Sequence, residues 1–213
     1  MDAETDFFCG LLELHYGKKI EEELKIIADK ISWAKGWPDK NSSFWNAEAF
    51  MWKYKIDWKT RALIKEELSF LDGKKNLDLG CGSYSYLPSV GFDVSEKMLL
   101  FNENCIQKVT GDLEKGLPFP DNSFESVTAI FLLNYVVNQG SLFSEIKRVL
   151  DEKGIFVAVL YSGKINGWQR KKEIFCFSKE EWALILEQNG FLVKCYEKEN
   201  LFFFICRQRK LIK

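Results

Sequence analysis

The stretch Asn76 to Pro88, NLDLGCGSYSYLP, decides the fold of this chain. Leucines flank Asp78 in a short apolar run that ends at Gly80, a pattern typical of a buried strand entering a loop. Gly80 and Gly82 can adopt positive φ and let a ligand approach the main-chain N–H groups. Taken alone, the stretch is compatible with an ordinary tight turn or with a loop that holds part of a nucleotide-like ligand.

Two acidic residues follow at the ends of further predicted strands. The segment SVGFDVSEKML predicts a short strand that ends at Asp93 and a helix that begins at Ser95. A carboxylate there lies across a crevice from the glycine turn and can accept hydrogen bonds from ribose hydroxyls, although in another context it would only be a turn residue or a helix cap. Asp112 ends another predicted strand, where it can bind the amino edge of adenine together with a neighbouring backbone N–H.

The chain has two regions that differ in their predicted secondary structure. From about residue 76 onward, strands alternate with helices, which predicts a doubly wound α/β sheet. Before that point apolar residues recur at helical spacing, so we expect a helical N-terminal cap over 1–72 and an α/β domain over 73–213. Ser178 and Glu181 predict a capping box. The predicted helices lie near 5–16, 19–32, 44–54, 57–71 and 178–188, and further strands near 105–110, 127–133, 191–198 and 201–207.

Four ordered segments resemble the consecutive motifs of one family. LDLGCGS, GFDVSEKML, GDLEKGLPFPDNSFESV and SEIKRVLDEKGIFVAVL are similar to those of class I S-adenosylmethionine-dependent methyltransferases of the UbiE-like, methyltransferase-11 type. CFSKEEWALILEQNGFLVKCYE is similar to the closing helix and strand of that family. The resemblance covers roughly residues 76–207 and implies a Rossmann-like, mostly parallel sheet with an antiparallel last strand. It also implies S-adenosylmethionine as the cofactor.

The resemblance also implies roles for particular residues. Gly80 and Gly82 would bring backbone to the methionine moiety, Asp78 would support that end, Asp93 would hold the ribose, and Asp112 with Leu113 would bind adenine. Candidate catalytic or acceptor-facing residues follow the fourth and fifth strands, at the sheet edge where ligands bind in open α/β folds. These candidates are Asn134, Tyr135 and Tyr161, and none of them has an assigned catalytic role.

Three positions depart from the family pattern. Tyr84 replaces the third glycine, and we expect it to relax to negative φ with its ring directed toward the cap. The short interval from Gly80 to Asp93 reduces the first crossover helix to a one-turn stub ending at Pro88. Asn134 stands where relatives often carry histidine, so no histidine base is available there.

Composition narrows the class of protein. The 213 residues carry 30 basic and 31 acidic side chains, a balance that gives no strong signal for nucleic acid. The sequence has no apolar run of the ~18 residues that span a bilayer. Six cysteines without a C-x-x-C pair indicate buried thiols in a reducing compartment, which predicts a cytoplasmic protein. With one histidine, no metal site is expected, and no particular oligomeric state is predicted.

Aromatic residues are dense in the predicted cap. We expect most of these rings to pack the cap and one or two to face the ligand pocket. They are Trp33, Trp37, Phe44, Trp45, Phe50, Trp52, Tyr54 and Trp58.

The sequence therefore predicts an S-adenosylmethionine-dependent methyltransferase acting on a small-molecule or lipid-like acceptor. A tRNA or protein methyltransferase is an alternative, because the shortened segment with Tyr86 and Leu87 also resembles tRNA wobble-uridine carboxymethyl methylases. A nicotinamide-dependent oxidoreductase is opposed by Ser85 at the sixth position of the glycine fingerprint. A non-catalytic cofactor-binding protein is the last alternative, which Tyr84 keeps open.

Overall fold

The computed structural model describes residues 2–162, 172 and 175–209, without the side chains of residues 53 and 54. The helices are α1 (Ala3–His15), α2 (Glu21–Ala28), α3 (Asn41–Lys55), α4 (Trp58–Glu67), α5 (Glu96–Phe101), α6 (Gln139–Val149) and α7 (Lys179–Gln188). The strands are β1 (Asn76–Leu79), β2 (Ser89–Asp93), β3 (Cys105–Thr110), β4 (Phe124–Ile130), β5 (Leu150–Tyr161), β6 (Phe191–Lys198) and β7 (Leu201–Gln208). Short 3₁₀ turns lie at Ser69–Leu71, Leu113–Lys115 and Leu133–Tyr135.

The seven strands form one sheet in the order β3-β2-β1-β4-β5-β7-β6. The first five strands in that order are parallel, and β7 runs antiparallel to both β5 and β6. This arrangement confirms the predicted Rossmann-like, mostly parallel sheet with an antiparallel last strand. β1 is central and buried along its whole length, as a strand covered on both faces must be.

Alternating side chains of β5 divide the core between the two faces of the sheet. Phe156 packs on one face with α6 and α7, in a cluster that includes Phe143 and Trp182. Val157 packs on the opposite face, in a cluster that includes Ile64 of α4. The period-two alternation of a strand therefore produces the two helical layers.

The N-terminal helices have a core of their own. Phe7 and Leu24 are fully buried with Trp37 and Phe44 in a cluster separate from the sheet. The helix that follows, α4, packs on the sheet instead. The division of the chain into a cap over 1–72 and a domain over 73–213 stays a prediction.

Asn46 of α3 ties the helical cap to the sheet. Its side-chain oxygen accepts hydrogen bonds from Ser95 Oγ at 2.7 Å and from the N–H of Lys97 at 3.2 Å, while its amide donates to the Trp33 carbonyl at 3.0 Å. The residue is only 7% exposed, so these bonds replace the water that it loses. α3 is thereby fixed beside the first turn of α5, above the carboxyl ends of the parallel strands.

Several boundaries differ from the sequence prediction. β4 covers Phe124–Ile130 rather than 127–133, because the chain turns at Phe131 (φ 57°). No helix forms between β1 and β2: residues 80–88 are loop, so the predicted one-turn stub is wrong. Nine residues with two glycines at positive φ favour a turn over a helical crossover. α2 and α4 end earlier than predicted, whereas the predicted capping box of α7 is confirmed.

Candidate functional site

A cleft of about 670 Å³, counted with its open mouth, lies at the carboxyl edge of β1, β2 and β4. α3 forms its roof, and the glycine loop after β1 forms its floor. Its walls are Asn41, Trp45, Trp52, Gly80, Gly82, Asp93, Val94, Met98, Asp112, Leu113, Glu114, Ile130, Phe131, Leu132, Tyr135 and Val136.

Gly80 and Gly82 give the loop its shape. Both have φ of +56°, which a residue with a side chain rarely adopts. A Cβ added to Gly80 would lie 2.4 Å from Leu132 Cδ1, and one added to Gly82 would lie 3.1 Å from Trp52 Nε1. Asn102 donates hydrogen bonds from below to the carbonyls of Cys81 and Gly82, at 3.4 and 3.0 Å. The glycines therefore allow a close approach of backbone, cap and ligand.

Asp93, at the end of β2, faces the same cleft. One carboxylate oxygen accepts the Gly82 N–H at 2.9 Å, and the other accepts the Ser95 N–H at 2.8 Å. The residue is 8% exposed, and this burial raises its pKa to about 6. The carboxylate thus fixes the glycine loop to the start of α5, and each oxygen keeps lone pairs for a further donor.

Asp78 lies behind the glycine loop rather than in the cleft. It borders a smaller space shared with Arg61 and Tyr84. Its carboxylate accepts a hydrogen bond from Thr128 Oγ1 at 2.8 Å. Burial raises its pKa to about 6, and the nearby charge of Asp93 acts in the same direction. Asp78 can therefore support the glycine loop only from behind, and its role at the methionine end of the cofactor stays a prediction.

Asp112 and Leu113 close the far end of the cleft. Asp112 caps the turn after β3 by accepting the Glu114 N–H at 3.1 Å. Glu114 in turn accepts the N–H groups of Val137 and Asn138, at 2.7 and 3.1 Å. The turn is thus fixed to the loop before α6, and the Leu113 side chain lines the cleft beside the Asp112 carboxylate.

A second cleft adjoins the first and contains the other sequence candidates. Asn134 and Tyr161 border only this second cleft, while Tyr135 borders both. Trp52 and Phe131 are also shared, so they separate the two spaces. The remaining walls are Lys55, Ile56, Asp57, Lys59, Thr60, Leu160, Glu199, Asn200 and Leu201.

Phe131 holds a strained conformation between the clefts. Its φ of 57° is unusual for a bulky residue and costs on the order of 1–3 kcal/mol. Its N–H donates to the Val159 carbonyl at 2.7 Å, which keeps the chain in this conformation. The hydrogen bond turns the backbone after β4 so that the next residues line the second cleft.

Tyr84 packs between the glycine loop and α4, the helix that lies on the sheet. It is half-buried and is not among the described residues with positive φ. The Arg61 guanidinium of α4 lies 4.4 Å from the ring centroid, and Tyr86 packs edge-on at 5.1 Å. The ring is therefore held outside the main cleft, between the loop and α4.

Sequence reasoning missed some residues of the site and misjudged the cysteines. Trp45 packs edge-on against Tyr135 at 5.0 Å, but among eight cap aromatics no sequence signal distinguishes it from a core residue. Cys9 and Cys176 are exposed, so the prediction that the cysteines are buried is wrong for these two. Cys9 lies on an amphipathic surface helix and Cys176 in the segment before α7, neither of which is covered by the sheet.

Comparison with known proteins finds similarity to methyltransferases. Residues 77–158 match the family model described as a methyltransferase domain. Over these residues the chain is similar to methyltransferase domains. Demethylmenaquinone methyltransferase of Staphylococcus saprophyticus is 32% identical over 119 residues, which are 48% of this chain and 50% of that protein. The chain thus spans about half the length of this curated relative.

Solved methyltransferase structures share the fold of this chain over most of its length. A SAM-dependent methyltransferase from Aquifex aeolicus has a TM-score of 0.61 at 20% identity, covering 74% of this chain and 97% of its own. The DhpI–SAH complex has a TM-score of 0.62 at 14% identity, covering 79% and 95%. The described residues contain no group of three or more His, Cys, Asp or Glu side chains that could hold a metal ion. No described helix is long and apolar enough to cross a membrane.

Proposed function

We propose that this chain is an S-adenosylmethionine-dependent methyltransferase with a small-molecule or lipid-like acceptor. The observation that carries the proposal is the junction of two clefts at Trp52, Phe131 and Tyr135. A methyl transfer needs a donor and an acceptor to meet in line with water excluded. Two adjoining spaces that share an aromatic boundary fit this requirement.

We propose that the first cleft binds the cofactor. Gly80 and Gly82 leave room for the methionine end, which a Cβ at either position would reduce by approaching Leu132 or Trp52. Asp93 would accept the ribose hydroxyls, and Asp112 with Leu113 would bind the adenine. When bound, S-adenosylmethionine supplies a methyl group that is already activated by its sulfonium. The protein must then mainly position the acceptor.

The second cleft suggests the chemistry of the acceptor. Its walls combine apolar side chains such as Ile56 and Leu160 with polar groups at Asn134 and Tyr161. Asp57 is poorly suited as a base, because its oxygens accept hydrogen bonds from the Lys59 and Thr60 backbones and the Thr60 hydroxyl. These hydrogen bonds lower its pKa. We therefore propose a small-molecule or lipid-like acceptor whose reacting atom loses its proton readily or carries none, such as a phenol, an enol or a stabilised carbanion.

The acceptor proposal also includes a role for the three side chains that the sequence suggested as candidates. Asn134, Tyr135 and Tyr161 would orient the reacting atom toward the shared boundary. Asn134 is 8% exposed. Its backbone carbonyl accepts the Phe175 N–H at 3.2 Å, which fixes the backbone position of this residue. We also propose a cytoplasmic location, supported by six cysteines that are free of disulfides.

The test is transfer of labelled methyl from S-adenosylmethionine into separated pools of phenolic and quinol metabolites, lipids, RNA and protein. We expect the parent protein to transfer label to the metabolite or lipid pool and Asp93→Asn to transfer little. The control variant Asp72→Asn changes an exposed acid and should transfer label as the parent does. Label confined to RNA or protein would show that the acceptor is a macromolecule and not a small molecule or a lipid. Cofactor binding without label in any pool would support the non-catalytic alternative.

A further inference from the structure

Two cysteine sulfurs meet directly beneath the glycine loop. Cys81 stands between Gly80 and Gly82, and Cys105 begins the edge strand β3. Their Sγ atoms are 4.0 Å apart. Nothing in the proposed methyl transfer uses either thiol.

Gly91 of β2 creates the space in which the sulfurs meet. A Cβ at this glycine would lie 2.2 Å from Cys105 Sγ and 2.9 Å from Cys81 Sγ. Both sulfurs therefore pack over the bare Cα of β2, and no side chain stands between them. A disulfide bond is about 2.05 Å long, so a closure of about 2 Å would join them.

The two thiols are unequal in a way that suits a reactive and a resolving cysteine. Cys105 is partly exposed and Cys81 is buried. The sulfur contact with Cys81 and a 3.4 Å contact with Ser85 Oγ lower the pKa of Cys105. The same sulfur contact, together with burial, raises the pKa of Cys81. The exposed member is thus the better nucleophile.

We propose that Cys81 and Cys105 form a reversible disulfide that weakens cofactor binding. With a peroxide as oxidant, the Cys105 thiolate attacks the peroxide O–O bond and becomes a sulfenic acid, releasing one water. The Cys81 sulfur then attacks that sulfur, the S–S bond forms, and a second water leaves. Two thiols are oxidised by two electrons in total, and one hydrogen peroxide is reduced to two waters.

Closure would move the loop that forms the floor of the cofactor cleft. The N–H of Gly82 donates to Asp93, and the N–H of Gly80 donates to the Phe92 carbonyl at 2.8 Å. Pulling Cys81 toward β3 would disturb both contacts. This effect on binding rests on the proposed function, whereas the disulfide itself does not.

The test treats the purified full chain with hydrogen peroxide and maps disulfides by mass spectrometry of non-reduced peptides. S-adenosylhomocysteine affinity is measured before oxidation, after it, and after dithiothreitol. We expect a Cys81–Cys105 linked peptide, an affinity at least tenfold weaker, and recovery on reduction. Cys105→Ser should bind as the reduced parent does and lose no affinity in peroxide, while Cys176→Ser should respond as the parent does.

Peroxide that oxidises Cys9 and Cys176 without linking Cys81 to Cys105 would overturn the proposal. A complete link that changes affinity less than twofold would overturn the effect on the cofactor. If the reduced chain binds no S-adenosylhomocysteine at all, the proposed function fails, and the peptide map alone decides whether the cysteine pair is a modification site.

Discussion

Replacing Asp93 with asparagine should separate cofactor binding from stability. The carboxylate is buried, and its pKa of about 6 exceeds the roughly 3.9 of an unfolded aspartate. The native state therefore holds the proton more tightly, so the ionised group destabilises the fold at neutral pH. At 1.36 kcal/mol for each pKa unit, the penalty is on the order of 3 kcal/mol above pH 6.

Asparagine removes this penalty and keeps the shape. It brings one unfavourable contact, because its NH₂ must face the N–H of either Gly82 or Ser95, which costs about 1–3 kcal/mol. The two effects nearly cancel, so we expect the free energy of unfolding at pH 7 to change by less than about 2 kcal/mol. Affinity for S-adenosylhomocysteine should fall by about 10- to 100-fold, since charge-assisted bonds to the ribose are lost.

The pH dependence supplies an independent check. Between about pH 4 and pH 6, ionisation of Asp93 should lower the free energy of unfolding of the parent as the pH rises. Asp93→Asn should lack this decrease. Cofactor affinity of the parent should weaken as pH falls through about 6, because protonation removes the acceptor. Urea unfolding and calorimetry across this range, with Asp72→Asn as the control, measure both. Unchanged affinity in a folded Asp93→Asn protein would refute the ribose role, and a loss of stability above about 4 kcal/mol would show a purely structural role.

Three further experiments test the glycine loop and the strands beside it. Tyr84→Gly should change S-adenosylhomocysteine affinity less than fivefold, because the ring lies against Arg61 outside the main cleft; a hundredfold gain in calorimetry would show that the ring plugs the site. Gly82→Ala should weaken binding more than tenfold, since φ of +56° and a contact of 3.1 Å to Trp52 oppose a Cβ; equal affinity would contradict this. Gly91→Ala should destabilise the fold by about 1–3 kcal/mol in urea unfolding, and Cys105→Ala should restore part of that loss; strictly additive effects would argue against the contact.

The motif region was predictable because each motif fixes local backbone as well as chemistry. A glycine pair after a buried strand predicted the loop, and Ser95, which accepts the Met98 N–H at 3.0 Å, predicted the start of α5. Consecutive strands of a parallel sheet place their carboxyl ends together, which is why Asp93 and Asp112 reach the same cleft as Gly80.

The cap side of the site was not predictable from local pattern. Trp52 reaches Gly82 only because Asn46 fixes α3 to α5. The hydrogen bond that does so joins Asn46 to Ser95, 49 residues later in the chain. Likewise, the positive φ of Phe131 depends on the Val159 carbonyl of the neighbouring strand. Such long-range hydrogen bonds leave no periodicity in the sequence, so the aromatic boundary between the clefts emerges only from the fold.

Isothermal titration of the reduced chain with S-adenosylhomocysteine, and separately with a nicotinamide dinucleotide, tests the central claim most directly. We predict saturable binding of one S-adenosylhomocysteine per chain and no measurable heat from the nicotinamide dinucleotide. Saturable binding of the dinucleotide with no response to S-adenosylhomocysteine would contradict it.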